Sequence, residues 1–161
     1  KVIENFKASR KAFRDGGRNN GVDIVWSTVD AFAREYPTLR GLQPVAIMQY
    51  DWSRGGDAIV VDGNRIKSVT DLKGKTIVVL VDSPSYYFAL MVLQEAGLNR
   101  SDVQWRYAKS ALQAANYFKT GKTDAMVSWS PDVYIAAKDR PGGKILMSTR
   151  ASRISWSMNI I

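Results

Sequence analysis

The chain has 161 residues, 45% apolar and 24% charged, with a formal charge of +8 and neither Cys nor His. That length suits one domain or parts of two, and the composition is an ordinary globular one. Without Cys and His there are no thiol nucleophiles, disulfides, Ser-His-Asp triads or usual zinc sites, so no catalytic residue, metal or cofactor is expected. No run approaches the roughly 20 apolar residues that span a bilayer. With no initial Met and no signal segment, the chain reads as mature or trimmed.

The basic residues are spread along the chain, so the charge predicts no nucleic-acid partner. In the densest run, residues 1–18, six Lys/Arg accompany Glu4 and Asp15, a solvated helix face. Val2, Ile3, Phe6, Ala12 and Phe13 are spaced for an amphipathic helix over 2–14, stopped by Asp15-Gly16-Gly17. A short buried strand is expected over 23–26. Ser27 or Thr28 then caps a helix over 29–35 that ends before Pro37. Strands follow over 43–50 and 58–61, separated by the polar, Gly-rich loop Asp51-Trp52-Ser53-Arg54-Gly55-Gly56. Asp62-Gly63-Asn64 is a turn, and 68–72 is one helical turn.

The clearest strand is 75–81. A helix over 85–96 follows, with Gly97 as its C-cap. A strand over 103–108, a helix over 111–118 capped by Ser110, and a strand over 125–129 come next. Pro131 is expected at the first helical position of a segment ending near Lys138. Pro141-Gly142-Gly143 turns into a strand over 144–148, and 155–161 suits a last one. Strand–helix alternation from residue 75 onward predicts an α/β fold with a mostly parallel sheet and helices on both faces.

One unit recurs: an apolar strand ending in a polar, Ser- and aromatic-rich turn before a helix. Its copies end in Trp26-Ser27-Thr28, Val81-Asp82-Ser83-Pro84-Ser85 and Trp129-Ser130-Pro131. In open α/β sheets, ligands bind outside the carboxyl ends of strands, where helix N-termini offer N–H groups and partial positive charge. These ends suggest a site for a small polar or anionic molecule, with Tyr86 and the loop residues Asp51, Trp52 and Ser53 as further candidates. Each has a plainer reading. Ser83 and Ser85 can belong to an Asp-Ser-Pro helix cap, and Trp129 can fill the core. The rings equally suit a heteroaromatic or a quaternary ammonium. Gly74-Lys75-Thr76 and Gly121-Lys122-Thr123 echo a phosphate-binding loop, but Val69 and Asn116 stand where its first Gly is needed and both lead into strands. They are read as turns. No carboxylate pair suggests acid–base work, and Asp132 is expected to serve the dipole of its helix.

The stretch Ile66-Lys67-Ser68-Val69-Thr70-Asp71-Leu72-Lys73-Gly74-Lys75-Thr76-Ile77-Val78-Val79 resembles the entry to the second lobe of substrate-binding proteins of ABC importers, in the nitrate/taurine/thiamine-precursor group. Gly21-Val22-Asp23-Ile24, Gly55-Gly56-Asp57-Ala58, Leu93-Gln94-Glu95-Ala96-Gly97-Leu98, Ser101-Asp102-Val103 and Gly121-Lys122-Thr123-Asp124-Ala125 match further elements in order. The resemblance implies a periplasmic-binding-protein type II fold of three-layer αβα lobes. It implies part of a first lobe over 1–57, a complete second lobe over 58–147 and re-entry into the first over 148–161. Family members run to roughly twice this length. It also implies a non-enzymatic solute-binding component, periplasmic or extracellular and membrane-anchored. Such a protein closes on a small molecule between lobes and delivers it to a membrane permease. Sulfonates, nitrate-like anions and thiamine precursors are the implied class. The implied ligand positions are Trp26, Ser27, Thr28, Asp51, Trp52, Ser53, Ser83, Ser85 and Trp129. The alternative is a ligand-sensing domain of a regulator or membrane receptor with the same fold.

Overall fold

The computed structural model describes residues 6–16, 21–151 and 158–160. Val2, Ile3, Gly17, Trp156 and most of the strand expected over 155–161 lie outside them. In chain order the elements are α1 (Phe6–Asp15), β1 (Ser27–Thr28), α2 (Val29–Leu39), β2 (Gln49–Trp52), β3 (Asp57–Asp62), β4 (Thr76–Leu80), α3 (Pro84–Glu95), β5 (Gln104–Ala108), α4 (Ala111–Lys119), β6 (Ala125–Trp129), α5 (Asp132–Asp139), β7 (Gly143–Ser148) and β8 (Met158–Ile160), with short 3₁₀ turns between. The chain divides into two units. One is Lys1–Trp52 with Ser157–Ile161, the other Ser53–Trp156.

In the first unit, β8 pairs antiparallel with both β1 and β2. This corrects two expected strands. Residues 23–26 are not a strand, and Ile24 is 62% exposed. Residues 43–48 form no ladder, and Gln43 turns left-handed at φ 49°. Neither run has a ladder partner among the described residues. Asp51 and Trp52, expected in a loop, find their partners on β8 and are strand. Helix α2 also runs past Pro37, which sits in its last turn. Pro37 forgoes the N–H bond to the Ala33 carbonyl, while continuing the helix buries Leu39. Arg10 of α1 pairs with Glu35 of α2 at 2.5 Å.

The second unit holds a five-stranded sheet in the order β5-β4-β6-β3-β7. β4 runs parallel to β5 and β6, whereas β3 is antiparallel to its neighbours β6 and β7. The sheet is therefore mixed, with β3 the one strand running against the rest. Its central strands are continuous apolar runs because both faces are covered. Ile59 and Val61 of β3 face a layer with Phe88, Ala89, Val92 and Leu93 of α3. Ala58 and Val60 face Ala114, Ala115 and Phe118 of α4 and Val133 and Ala136 of α5. This is a three-layer αβα unit.

The motif residues at the amino ends of β4 and β6 are scaffold. Asp71 accepts from the Lys67 and Ser68 N–H groups at 2.8 Å each, closing a capping box. Asp102 does the same for Asn99 at 2.7 Å. The Asp124 carboxylate takes the Thr76 N–H at 3.0 Å and Arg65 at 3.1 Å. Gly74 and Gly121 stand at φ +74° and +72°, so both Gly-Lys-Thr triplets are turns into strands.

Candidate functional site

In the first unit, Thr28 is the N-cap of α2, yet its side chain makes no capping bond. The residue is 4% exposed, and its Oγ1 has no hydrogen-bond partner. An N-cap Thr ordinarily satisfies a free N–H of the first turn. Here a buried hydroxyl stays unpaired at a positive helix end, a costly arrangement without a ligand or water. The preceding Trp26 and Ser27 line a cavity of about 290 Å3, whose wall combines Phe13, Ile24, Phe32, Val45 and Ile47 with the charged Arg10, Asp23 and Glu35. The Trp26 ring lies 6.5 Å from that of Tyr50 on β2. Burial first, then the Asp51 charge, pushes the Tyr50 phenol up. Asp51 accepts the Trp52 N–H at 2.7 Å, and Trp52 is 40% exposed. The structure thus groups Trp26, Ser27 and Thr28 at the start of α2, with Asp51 and Trp52 on β2.

In the second unit, Ser83, and not Ser85, caps α3. Its Oγ accepts the Tyr86 N–H at 3.1 Å and donates to the Leu80 carbonyl at 2.7 Å, while Pro84 takes the first helical position. Ser85, fully buried, donates to Asp57 Oδ1 at 2.5 Å. Ser53 donates to Asp57 Oδ2 at 3.0 Å. Ser53 and Ser85 are therefore brought onto one carboxylate. Trp129, at the end of β6, is the register partner of Asp57 and is partly exposed. Pro131 is the N-cap of α5, one position earlier than expected, after a cis Ser130–Pro131 bond.

Tyr86 points elsewhere. Its hydroxyl accepts from Arg100 Nε at 2.7 Å and its ring meets Trp105 edge-on at 5.0 Å. Burial raises the phenol, partly opposed by the Arg100 guanidinium. The same contacts with Tyr86 and Tyr107 hold Arg100 above its ordinary value.

Two residues were missed from sequence, Asp57 and Thr149, each 7% exposed. Thr149 Oγ1 accepts the Gly55 N–H at 2.7 Å and shares a hydrogen bond with Ser53 Oγ at 3.1 Å. The available signal was Asp57 itself: a carboxylate heading an all-apolar strand is buried only if hydrogen-bonded. Among the described residues no group of three or more His, Cys, Asp or Glu is placed to hold a metal, and no helix is long and apolar enough to cross a membrane.

A family model described as the periplasmic substrate-binding protein of phosphonate ABC transporters matches residues 2–153. A curated protein of Escherichia coli (strain K12), named for aliphatic sulfonate binding, is 35% identical over 88 residues, 55% of this chain and 27% of that protein. The crystal structure of the periplasmic aliphatic sulphonate binding protein SsuA from Escherichia coli aligns with TM-score 0.72 at 25% identity, over 96% of this chain and 52% of that one. The alkanesulfonate-binding protein SsuA from Xanthomonas axonopodis pv. citri, bound to MOPS, aligns with TM-score 0.66 at 18% identity, over 95% of this chain and 51% of that one. The chain thus spans about half the length of these solved relatives. Their fold is the α/β, type II periplasmic-binding architecture described above.

Proposed function

We propose a solute-binding role from one premise: this chain belongs to the family of periplasmic substrate-binding proteins of phosphonate ABC transporters. The solute is a small organic oxyanion, a sulfonate or phosphonate, and the protein acts in the periplasm, handing it to a membrane permease. It binds and releases without a covalent step.

The observation that carries this reading is Thr28, a buried hydroxyl without a partner at the uncapped start of α2. A tetrahedral oxyanion accepts from that hydroxyl, from the first-turn N–H groups and from Ser27, whose hydroxyl would turn from its long 3.4 Å bond to the Thr28 carbonyl, and gains from the helix dipole. Trp26 and Trp52 supply apolar cover on the first unit; Trp129, at the end of β6, is a separate candidate on the second. Ser53, Ser83, Ser85 and the Tyr86 backbone serve as supports in this proposal, because their polar groups already bind within the protein. Asp51 orders the Trp52 backbone.

The cavity beside Ser27 admits two occupants. The organic group of the solute is one. The exposure of Val45 at 73% and Ile47 at 64% favours a second, an additional apolar polypeptide segment packed there. Isothermal titration with ethanesulfonate, methylphosphonate and 1-propanol tests the function. Binding of either anion and not of the alcohol is expected. Equal binding of propanol, or none by the anions, removes the oxyanion reading. Affinity that rises from ethanesulfonate to hexanesulfonate assigns the cavity to the solute, and flat affinity assigns it to polypeptide.

A further inference from the structure

The first turn of α2 carries a second buried polar atom, which the oxyanion reading leaves without a role. Asp30 follows Thr28 by two residues and is the acidic residue of that turn. Its Oδ1 is buried and, like Thr28 Oγ1, has no hydrogen-bond partner. The neighbouring cations are engaged elsewhere. Arg10 pairs with Glu35 at 2.5 Å, and Arg34, one turn along from Asp30, lies 3.9 Å from the same carboxylate. Side chains on a helix lean toward its N-terminus, so the Asp30 carboxylate and the Thr28 hydroxyl belong to the same end of α2. An acid in a first turn steadies the helix dipole, and it does so from solvent as well as from within. That role does not account for a carboxylate oxygen left buried and unpaired, which is costly.

The two unpaired groups are complementary. Thr28 offers a hydroxyl hydrogen to an acceptor, whereas an ionised Asp30 only accepts. An oxyanion held by Thr28 and the first-turn N–H groups therefore meets a bare negative oxygen beside it. A sulfonate, R–SO3−, carries no proton, so it gives Asp30 nothing and repels it. A phosphonate monoanion, R–PO2(OH)−, has the same shape and charge and one P–OH group. That proton turns the repulsion into an O–H···O− bond, one of the short and strong kinds.

We propose that Asp30 is a specificity-determining residue that selects a singly protonated phosphonate over a sulfonate, accepting the P–OH hydrogen while Thr28 and the start of α2 hold the unprotonated oxygens. This rests on the oxyanion reading above and sharpens it: both classes bind, and the proton ranks them. No bond is made or broken in the solute, and the phosphonate leaves with the proton it brought.

Calorimetric titration of the whole chain at about pH 5 is the test, because an ordinary Asp is ionised there while a phosphonate, like a phosphate ester with its second pKa of about 6, keeps one proton. The probes are methylphosphonate, its monomethyl ester and methanesulfonate, of which only the first carries a P–OH. Wild type should bind methylphosphonate about tenfold or more tighter than the other two. Asp30→Asn keeps the shape and adds an N–H donor. It should bring methylphosphonate and methanesulfonate to within about threefold of each other, weakening the first and strengthening the second. Equal binding of the three probes by wild type overturns the proposal without the variant and leaves the oxyanion reading standing. So does an Asp30→Asn protein whose affinities are unchanged or all shifted alike. An Asp30-dependent gain for taurine over ethanesulfonate, without one for methylphosphonate, assigns Asp30 to an ammonium and overturns the proposal as well. Binding of none of these anions overturns the oxyanion reading and the proposal together.

Discussion

Arg140 shows how one side chain can hold several elements of the second unit. Its guanidinium pairs with Asp62 at 3.2 Å, donates to the Phe118 and Thr123 carbonyls at 2.9 and 2.8 Å, and lies 4.4 Å from the Phe118 ring centre. The two side chains are only 11% and 16% exposed. Arg140→Ala leaves Asp62 and two carbonyls short of a partner, and urea unfolding should show a loss of about 3 kcal/mol. Backbone N–H donors, Lys67 first for Asp71 and Asn99 first for Asp102, hold these two carboxyls below the ordinary range. A folded-state value below the unfolded one means stability that is present above the usual 3.8 and lost as pH falls beneath it. Asp71→Asn should therefore flatten the acid limb of a pH-stability curve below that point and leave the alkaline limb unchanged. Asp71 was readable from sequence within the helical turn expected over 68–72, whereas the turn that Asp102 caps was not expected. Thr28 was readable as a helix cap or a ligand residue, but its missing capping bond was not, because that depends on its rotamer.

Among elements, α3 separates the role of a cap from that of a binding group. Ser83→Ala removes the acceptor of the Tyr86 N–H and should cost about 1 kcal/mol of stability. Sulfonate affinity should stay unchanged, a pairing that thermal unfolding and titration check together. A large affinity loss would return Ser83 to the solute. The second unit's elements were largely legible, since β4, α3, β5, α4 and β6 carry unbroken apolar patterns bounded by Gly, Ser and Pro. What sequence missed was direction: nothing in 57–62 marks β3 as antiparallel to β6 and β7, because a strand buried on both faces reads alike either way. In the first unit, the apolar runs at 23–26 and 43–48 carry strand patterns without ladders. Strand formation there depends on partners, and pattern alone does not supply them.

Across the whole molecule the two units differ in what they bury. Among the described residues of 1–52, Ala31 and Leu39 are the buried core hydrophobics, while Ile24, Leu42, Val45, Ile47 and Met48 are each at least half exposed. The second unit has an apolar layer on both faces of its sheet. Hydrogen exchange should therefore be slowest in β3, β4 and β6 and fastest in β1 and β2; equal protection in both units would contradict that ordering. The solute reading rests on one end of one helix, so its most direct test is calorimetric titration of ethanesulfonate into the wild-type protein and Thr28→Val. Valine keeps the shape and removes the hydroxyl, and a lost hydrogen bond to a buried anion costs about 1–3 kcal/mol, or roughly 5- to 150-fold in affinity. Weakening by about that factor with a thermal midpoint that does not fall, and rises as the unpaired hydroxyl is removed, is the expected result. Wild-type affinity in Thr28→Val would contradict the account.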